Sequence, residues 1–111
     1  MKIIDEINSI GILGGGQLGM FLCLAAKRFK KKISVYSESR HCSAEKFCDN
    51  FFYGSFEDLN RIEKFCNSVD IVTVETENIP IKTLNLIDKK KKLRPIASSI
   101  EIAQNRIKEK K

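Results

Sequence analysis

No part of this sequence leaves fewer options than GILGGGQLGM, residues 11–20. A short apolar run leads into Gly14, Gly15 and Gly16, then Gln17, Leu18 and Gly19. Strand, glycine-rich turn and helix follow one another in that order. Glycines let the backbone turn tightly and come close to an anion, and a helix N-terminus offers unpaired N–H groups. Gly14, Gly16 and Gly19 fit G-x-G-x-x-G. A dinucleotide site would also need an acidic residue about 20 positions on, to hold a ribose. Glu38 stands near that place. A nucleoside-triphosphate loop is excluded, because Gln17 and Leu18 stand where Lys and Ser or Thr are required. The alternative is structural: the glycines serve only to pack helix against strand.

The rest of the chain repeats the strand–helix alternation. Residues 7–13 are isoleucine-rich and read as a buried strand. Residues 17–29 read as a helix whose apolar face is Leu18, Phe21, Leu22, Ala25 and Phe29. Strands are expected at 33–36, 50–53, 70–74 and 93–96, with a polar loop at 37–43. A second helix spans 57–67, patterned by Leu59, Ile62, Glu63 and Phe65 or Cys66. Pro80 fits the first turn of a third, running to about Ile87. Ser98 or Ser99 would cap a last helix, with Glu101 in its first turn. The expected fold is α/β, a Rossmann-like parallel sheet with helices on both faces and right-handed crossovers.

At 111 residues the chain fits one domain with a real core. No run approaches the roughly 18 apolar residues of a membrane helix. Asp5 and Glu6 interrupt the N-terminal apolar residues, unlike a secretory signal, so a cytoplasmic protein is expected. Cys23, Cys42, Cys48 and Cys66 form no C-x-x-C pair, and His41 is the sole histidine, so free thiols are expected rather than zinc ligands. The net charge of +6 comes mainly from lysine clusters at 30–32, 89–92 and 108–111. No aromatic residues interleave them, so a solvated surface is expected and not a nucleic-acid partner.

A second polar cluster, Glu75-Thr76-Glu77-Asn78-Ile79-Pro80, follows the strand at 70–74. Ligands of open parallel sheets bind beyond the C-terminal ends of strands. The glycine loop and this cluster both lie at such ends, so both could face one crevice. Two carboxylates and an amide suit a polar ligand bearing amines or hydroxyls. Equally, Asn78 or a carboxylate could simply cap the helix near Pro80.

GILGGGQLG (11–19), ETENIP (75–80), RP (94–95) and IEIAQNRIKEK (100–110) occur in an order and spacing that resemble the N5-carboxyaminoimidazole ribonucleotide synthetases, ATP-grasp ligases of purine biosynthesis. The resemblance runs from about Ile10 to Lys110. It implies the reaction of 5-aminoimidazole ribonucleotide, ATP and bicarbonate through carboxyphosphate. It also implies a Rossmann-like first domain that binds no NAD and forms one wall of the substrate cleft. By the same resemblance Gly16, Gln17 and Leu18 would line the substrate side, Glu75 would face the aminoimidazole ribonucleotide, and Arg106 would pair with ATP phosphates.

Three positions depart from the family pattern. Met20 replaces an arginine, Thr76 an aromatic residue and Asn105 an aspartate. Length departs more. The resemblance makes residues 1–111 an N-terminal pre-ATP-grasp domain, without the ATP-grasp and C-terminal domains that would hold most of the ATP and the magnesium. Such a domain is expected to be inactive alone and to associate as a homodimer or with the missing ATP-grasp portion. The formate-dependent glycinamide ribonucleotide transformylases share the domain, and E-N-I-P favours the aminoimidazole enzymes. The competing readings are a small NAD(P)-binding Rossmann module and a non-catalytic binding remnant.

Overall fold

The computed structural model describes residues 7–90, 92–95 and 99. Its elements run β1 (Ser9–Leu13), α1 (Gln17–Arg28), β2 (Lys32–Ser37), β3 (Asn50–Tyr53), α2 (Leu59–Asn67), β4 (Ile71–Val74), α3 (Ile81–Lys89) and β5 (Leu93–Arg94). The five strands form one sheet in the order β3-β2-β1-β4-β5, and every pairing is parallel. The expected α/β sheet is therefore present. Strand order reverses at β1, whose neighbours are β2 on one side and β4 on the other. That makes the C-terminal ends of β1 and β4 the crevice where ligands of this architecture bind.

Alternation along the strands builds two cores. Ile10, Ile12, Ile33, Val35 and Ile71 pack under α1 with Leu22, Cys23, Ala25 and Ala26. Leu13, Tyr36 and Val72 pack on the other face with Ile62, Phe65 and Cys66 of α2 and Ile87 of α3. A period of two thus sends alternate residues of each strand to opposite helical layers. Gly11 sits at the middle of β1 facing the second layer, where a Cβ would lie 2.8 Å from Phe65 Cζ. The aromatic ring uses the space that a side chain would fill. Phe65 in turn makes edge contacts with Tyr36 at 5.5 Å and Phe52 at 5.2 Å between ring centroids.

Local chemistry fixes the joints. Asp70 accepts the N–H groups of Asn8 at 2.8 Å and Ser9 at 3.2 Å, tying the start of β1 to β4. Asp58 caps α2 by accepting from Arg61 N–H at 3.2 Å. Buried Thr83 of α3 donates its hydroxyl to the Phe56 carbonyl at 2.7 Å.

Several expectations are corrected. Leu18 and Phe21 do not face the core: they are 47% and 46% exposed. Leu22 and Ala25 are buried as expected, and they share the sheet-facing side of α1 with Gly19, Cys23 and Ala26, whose small side chains let the helix lie close. Leu59 is likewise exposed, at the first position of α2. Pro80 is the N-cap of α3 and not a residue of its first turn; its backbone is extended (φ −60°, ψ 147°). β5 stops at Arg94, short of the expected 96. Of the expected last helix only Ser99 is described, and Arg106 and Asn105 lie outside the described residues.

Candidate functional site

β1 delivers the glycines to the crevice. Gly14 continues the ladder by donating its N–H to Tyr36 O at 2.8 Å, then turns with φ +108°, a conformation that favours glycine. Gly16 is the N-cap of α1 and supplies no side chain to the cap. Gly19, one turn later, lies so close to the loop that a Cβ would be 3.2 Å from Gly14 O. Gln17 and Leu18 are exposed in the first turn of α1.

β4 delivers the second cluster beside it. Glu75 donates its backbone N–H to Leu13 O at 2.8 Å, so its side chain leaves the sheet level with the glycine loop. Glu75 Oε1 accepts the Gly16 N–H at 3.2 Å. A Cβ on Gly14 would lie 2.7 Å from Glu75 Oε1, and one on Gly16 would lie 2.5 Å from Glu75 Oε2. The loop therefore uses its glycines to accommodate this carboxylate. The two motifs, separate in sequence, meet in one crevice. The capping alternative does not hold, since no side chain caps α3. Asn78 and Glu77 are exposed, and Asn78 N–H donates to Thr76 Oγ1 at 3.4 Å.

The resulting cleft has a volume of about 270 Å³. Besides the glycines, Glu75 and Thr76, its walls include Glu38, Cys42 and Phe56. Glu38 Oε2 accepts the Phe56 N–H at 2.8 Å, so the acid placed for a ribose holds the β3–α2 loop. Cys42 packs on the glycine loop; a Cβ on Gly15 would clash with its Sγ. No spacing in the sequence signals that contact. Phe56 was open to inference, since it follows the C-terminal end of β3. A larger cavity of about 840 Å³ shares Cys42 and is lined also by Met20, His41, Glu45, Lys46 and Phe47. Met20 thus lines the neighbouring cavity, while Thr76 lines the glycine cleft.

Cys23, Cys42, Cys48 and Cys66 form no disulfide. Burial, with lesser effects from Cys48 and Asp49, pushes the Cys23 thiol up to about 12. Among the described residues no group of three His, Cys, Asp or Glu side chains is placed to hold a metal ion. Nor is any helix among those residues long and apolar enough to cross a membrane.

Residues 7–104 match the family described as the ribonucleotide synthetase preATP-grasp domain. A chloroplastic phosphoribosylaminoimidazole carboxylase of Vigna aconitifolia is 32% identical over 102 residues, which are 91% of this chain and 18% of that protein. The crystal structure of N5-carboxyaminoimidazole ribonucleotide synthetase from Thermus thermophilus superposes with a TM-score of 0.72 and 34% identity, covering 91% of this chain and 28% of that one. The N5-carboxyaminoimidazole synthase of Aspergillus clavatus, solved with ADP and 5-aminoimidazole ribonucleotide, gives a TM-score of 0.69 and 27% identity over 86% of this chain and 26% of that one. The chain thus spans less than a third of the length of each.

Proposed function

The chain belongs to the ribonucleotide synthetase preATP-grasp domain family, and on that premise we propose that it is the N-terminal, substrate-facing domain of an ATP-dependent N5-carboxyaminoimidazole ribonucleotide synthetase. In the proposed reaction ATP activates bicarbonate, and the amine of 5-aminoimidazole ribonucleotide takes up the carboxyl group. The observation that carries this reading is the meeting of Glu75 with the Gly14–Gly16 loop at the ends of β4 and β1. Relatives of this chain have been solved with ADP, with ATP and with 5-aminoimidazole ribonucleotide.

In this reading the domain positions substrate and does not perform the phosphoryl transfer. Glu75 Oε2 has no hydrogen-bond partner among the described residues and is available to an amine or hydroxyl donor. Gly16 lines the same opening, and Gln17 and Leu18, exposed in the first turn of α1, would face the substrate from beside it. Arg106 would reach ATP phosphate oxygens, as a guanidinium suits them. Magnesium and most ATP contacts would come from an ATP-grasp portion, as part of the same chain or as a partner, and homodimerisation belongs to the same proposal. The NAD(P) alternative is disfavoured because Glu75 occupies the glycine loop and Glu38 is bound to Phe56.

The test joins this chain to the ATP-grasp and C-terminal portions of the Thermus thermophilus relative. Bicarbonate-dependent ATP hydrolysis stimulated by 5-aminoimidazole ribonucleotide is expected. Glu75→Ala should lower kcat/KM by about 10–100-fold, the effect of losing a charge-assisted hydrogen bond. A folded chimera that hydrolyses ATP without responding to the ribonucleotide would overturn the proposal.

A further inference from the structure

The glycine cleft is acidic within a basic protein. The chain carries 20 Lys and Arg against 14 Asp and Glu. Yet the charged residues among the described lining of the cleft are Glu38 and Glu75, with no cation. A strand–glycine–helix corner ordinarily turns its N–H groups to a phosphate. Here the Gly16 N–H donates at 3.2 Å to the Glu75 carboxylate. Both carboxylate oxygens lie where side chains on Gly14 and Gly16 would be, at 2.7 and 2.5 Å from the respective Cβ positions. The volume that an incoming phosphate oxygen needs is already filled by a negative oxygen of the protein.

We infer that Glu75 is a resident anion of the glycine-rich corner, a specificity-determining residue that bars phosphate and pyrophosphate groups from the N-terminus of α1. Like charges at such range repel, and the bound carboxylate has already taken the Gly16 donor. Glu38 adds a second negative charge to the same lining. The corner thus keeps the backbone shape of a phosphate loop while accepting only neutral or cationic hydrogen-bond donors. This holds whether or not the ligand is 5-aminoimidazole ribonucleotide, because it concerns what the corner refuses.

The experiment uses inorganic phosphate as the probe and the amide resonances of the 15N-labelled chain as the readout, at constant ionic strength set by chloride. In the wild-type chain the amides of residues 15–19 should show no saturable shift. In Glu75→Ala and Glu75→Ser, which remove the charge and vacate the volume, they should shift saturably, with phosphate bound at least about tenfold more tightly than by the wild type. Serine, small and polar, serves where alanine fails to fold. Saturable binding at these amides in the wild type would sink the inference. So would unmoved amides in a variant whose sheet resonances keep their native dispersion.

Discussion

The Gly16 N–H donates to Glu75 Oε1 at 3.2 Å across 59 residues of sequence. The bond joins the N-cap of α1 to the first residue after β4, so it couples the helix start to the order reversal of the sheet. A side chain at position 16 and a carboxylate at position 75 compete for one volume. Gly16→Ala is expected to displace the carboxylate and cost about 1–2 kcal/mol. In a Glu75→Ala background the same change should cost less, leaving a coupling of about 1 kcal/mol. Urea denaturation of the four chains of the cycle measures it; additive effects would show that the two residues do not share the space.

Gly14 is held differently, by its backbone. Its φ of +108° is costly for any residue with a Cβ, and a Cβ there would also meet Glu75 Oε1 at 2.7 Å. Gly14→Ala is therefore expected to cost about 1–3 kcal/mol. Unlike Gly16→Ala, it should remain damaging when Glu75 is alanine, because the strain stays after the clash is gone. A full rescue by Glu75→Ala would contradict this assignment.

Alkaline pH should weaken the fold through two buried groups. Burial, then Cys48 and Asp49, raises the Cys23 thiol from 9.0 to about 12. Burial, then Asp58, raises the Tyr36 hydroxyl from 10.0 to about 12; that hydroxyl donates to Ser55 O at 2.7 Å. Both folded values lie above the unfolded ones, so the unfolded chain loses these protons first. Their stabilisation is fully present below pH 9 and is lost as pH rises from about 9 towards 12. Cys23→Ala should lessen the fall in urea midpoint between about pH 9 and 10.5 relative to wild type, and equal slopes would show that Cys23 does not titrate in this way.

Thiol reactivity should divide the cysteines into two pairs. Cys23 and Cys66 are buried, whereas Cys42 and Cys48 are partly exposed. Ellman's reagent is expected to modify Cys42 and Cys48 in the folded chain, and Cys23 and Cys66 only on unfolding. Burial raises the thiols of Cys23, Cys48 and Cys66 above their ordinary value, which slows all three against an exposed thiol. Mass spectrometry after partial modification reads the order directly.

The sequence carried the fold well where one periodicity had one meaning. The isoleucines of Ser9–Leu13 and the β-branched run Ile71–Val74 serve two helical layers, and both strands lie within the expected 7–13 and 70–74. The polar cluster at Glu75 was legible because it follows a strong strand signal. Helix α1 is present with Leu22 and Ala25 buried as expected, but its expected face fails at Leu18 and Phe21, because the helix carries two apolar arcs. Spacing alone identifies Leu18 and Phe21 as apolar neighbours, but not which arc meets the sheet. Close packing settled that in favour of Gly19, Cys23 and Ala26.

By itself the sequence determined the strand–glycine–helix corner, the α/β alternation and the family, because these rest on local conformational preference and on residues near one another in the chain. Only the tertiary structure decided what fills the corner. Placing β4 beside β1 brings Glu75 onto Gly16, and a parallel pairing joins residues whose sequence separation carries no local signal. Glycines that in isolation read as room for a phosphate become room for a carboxylate, because strand order fixes which charge arrives there first.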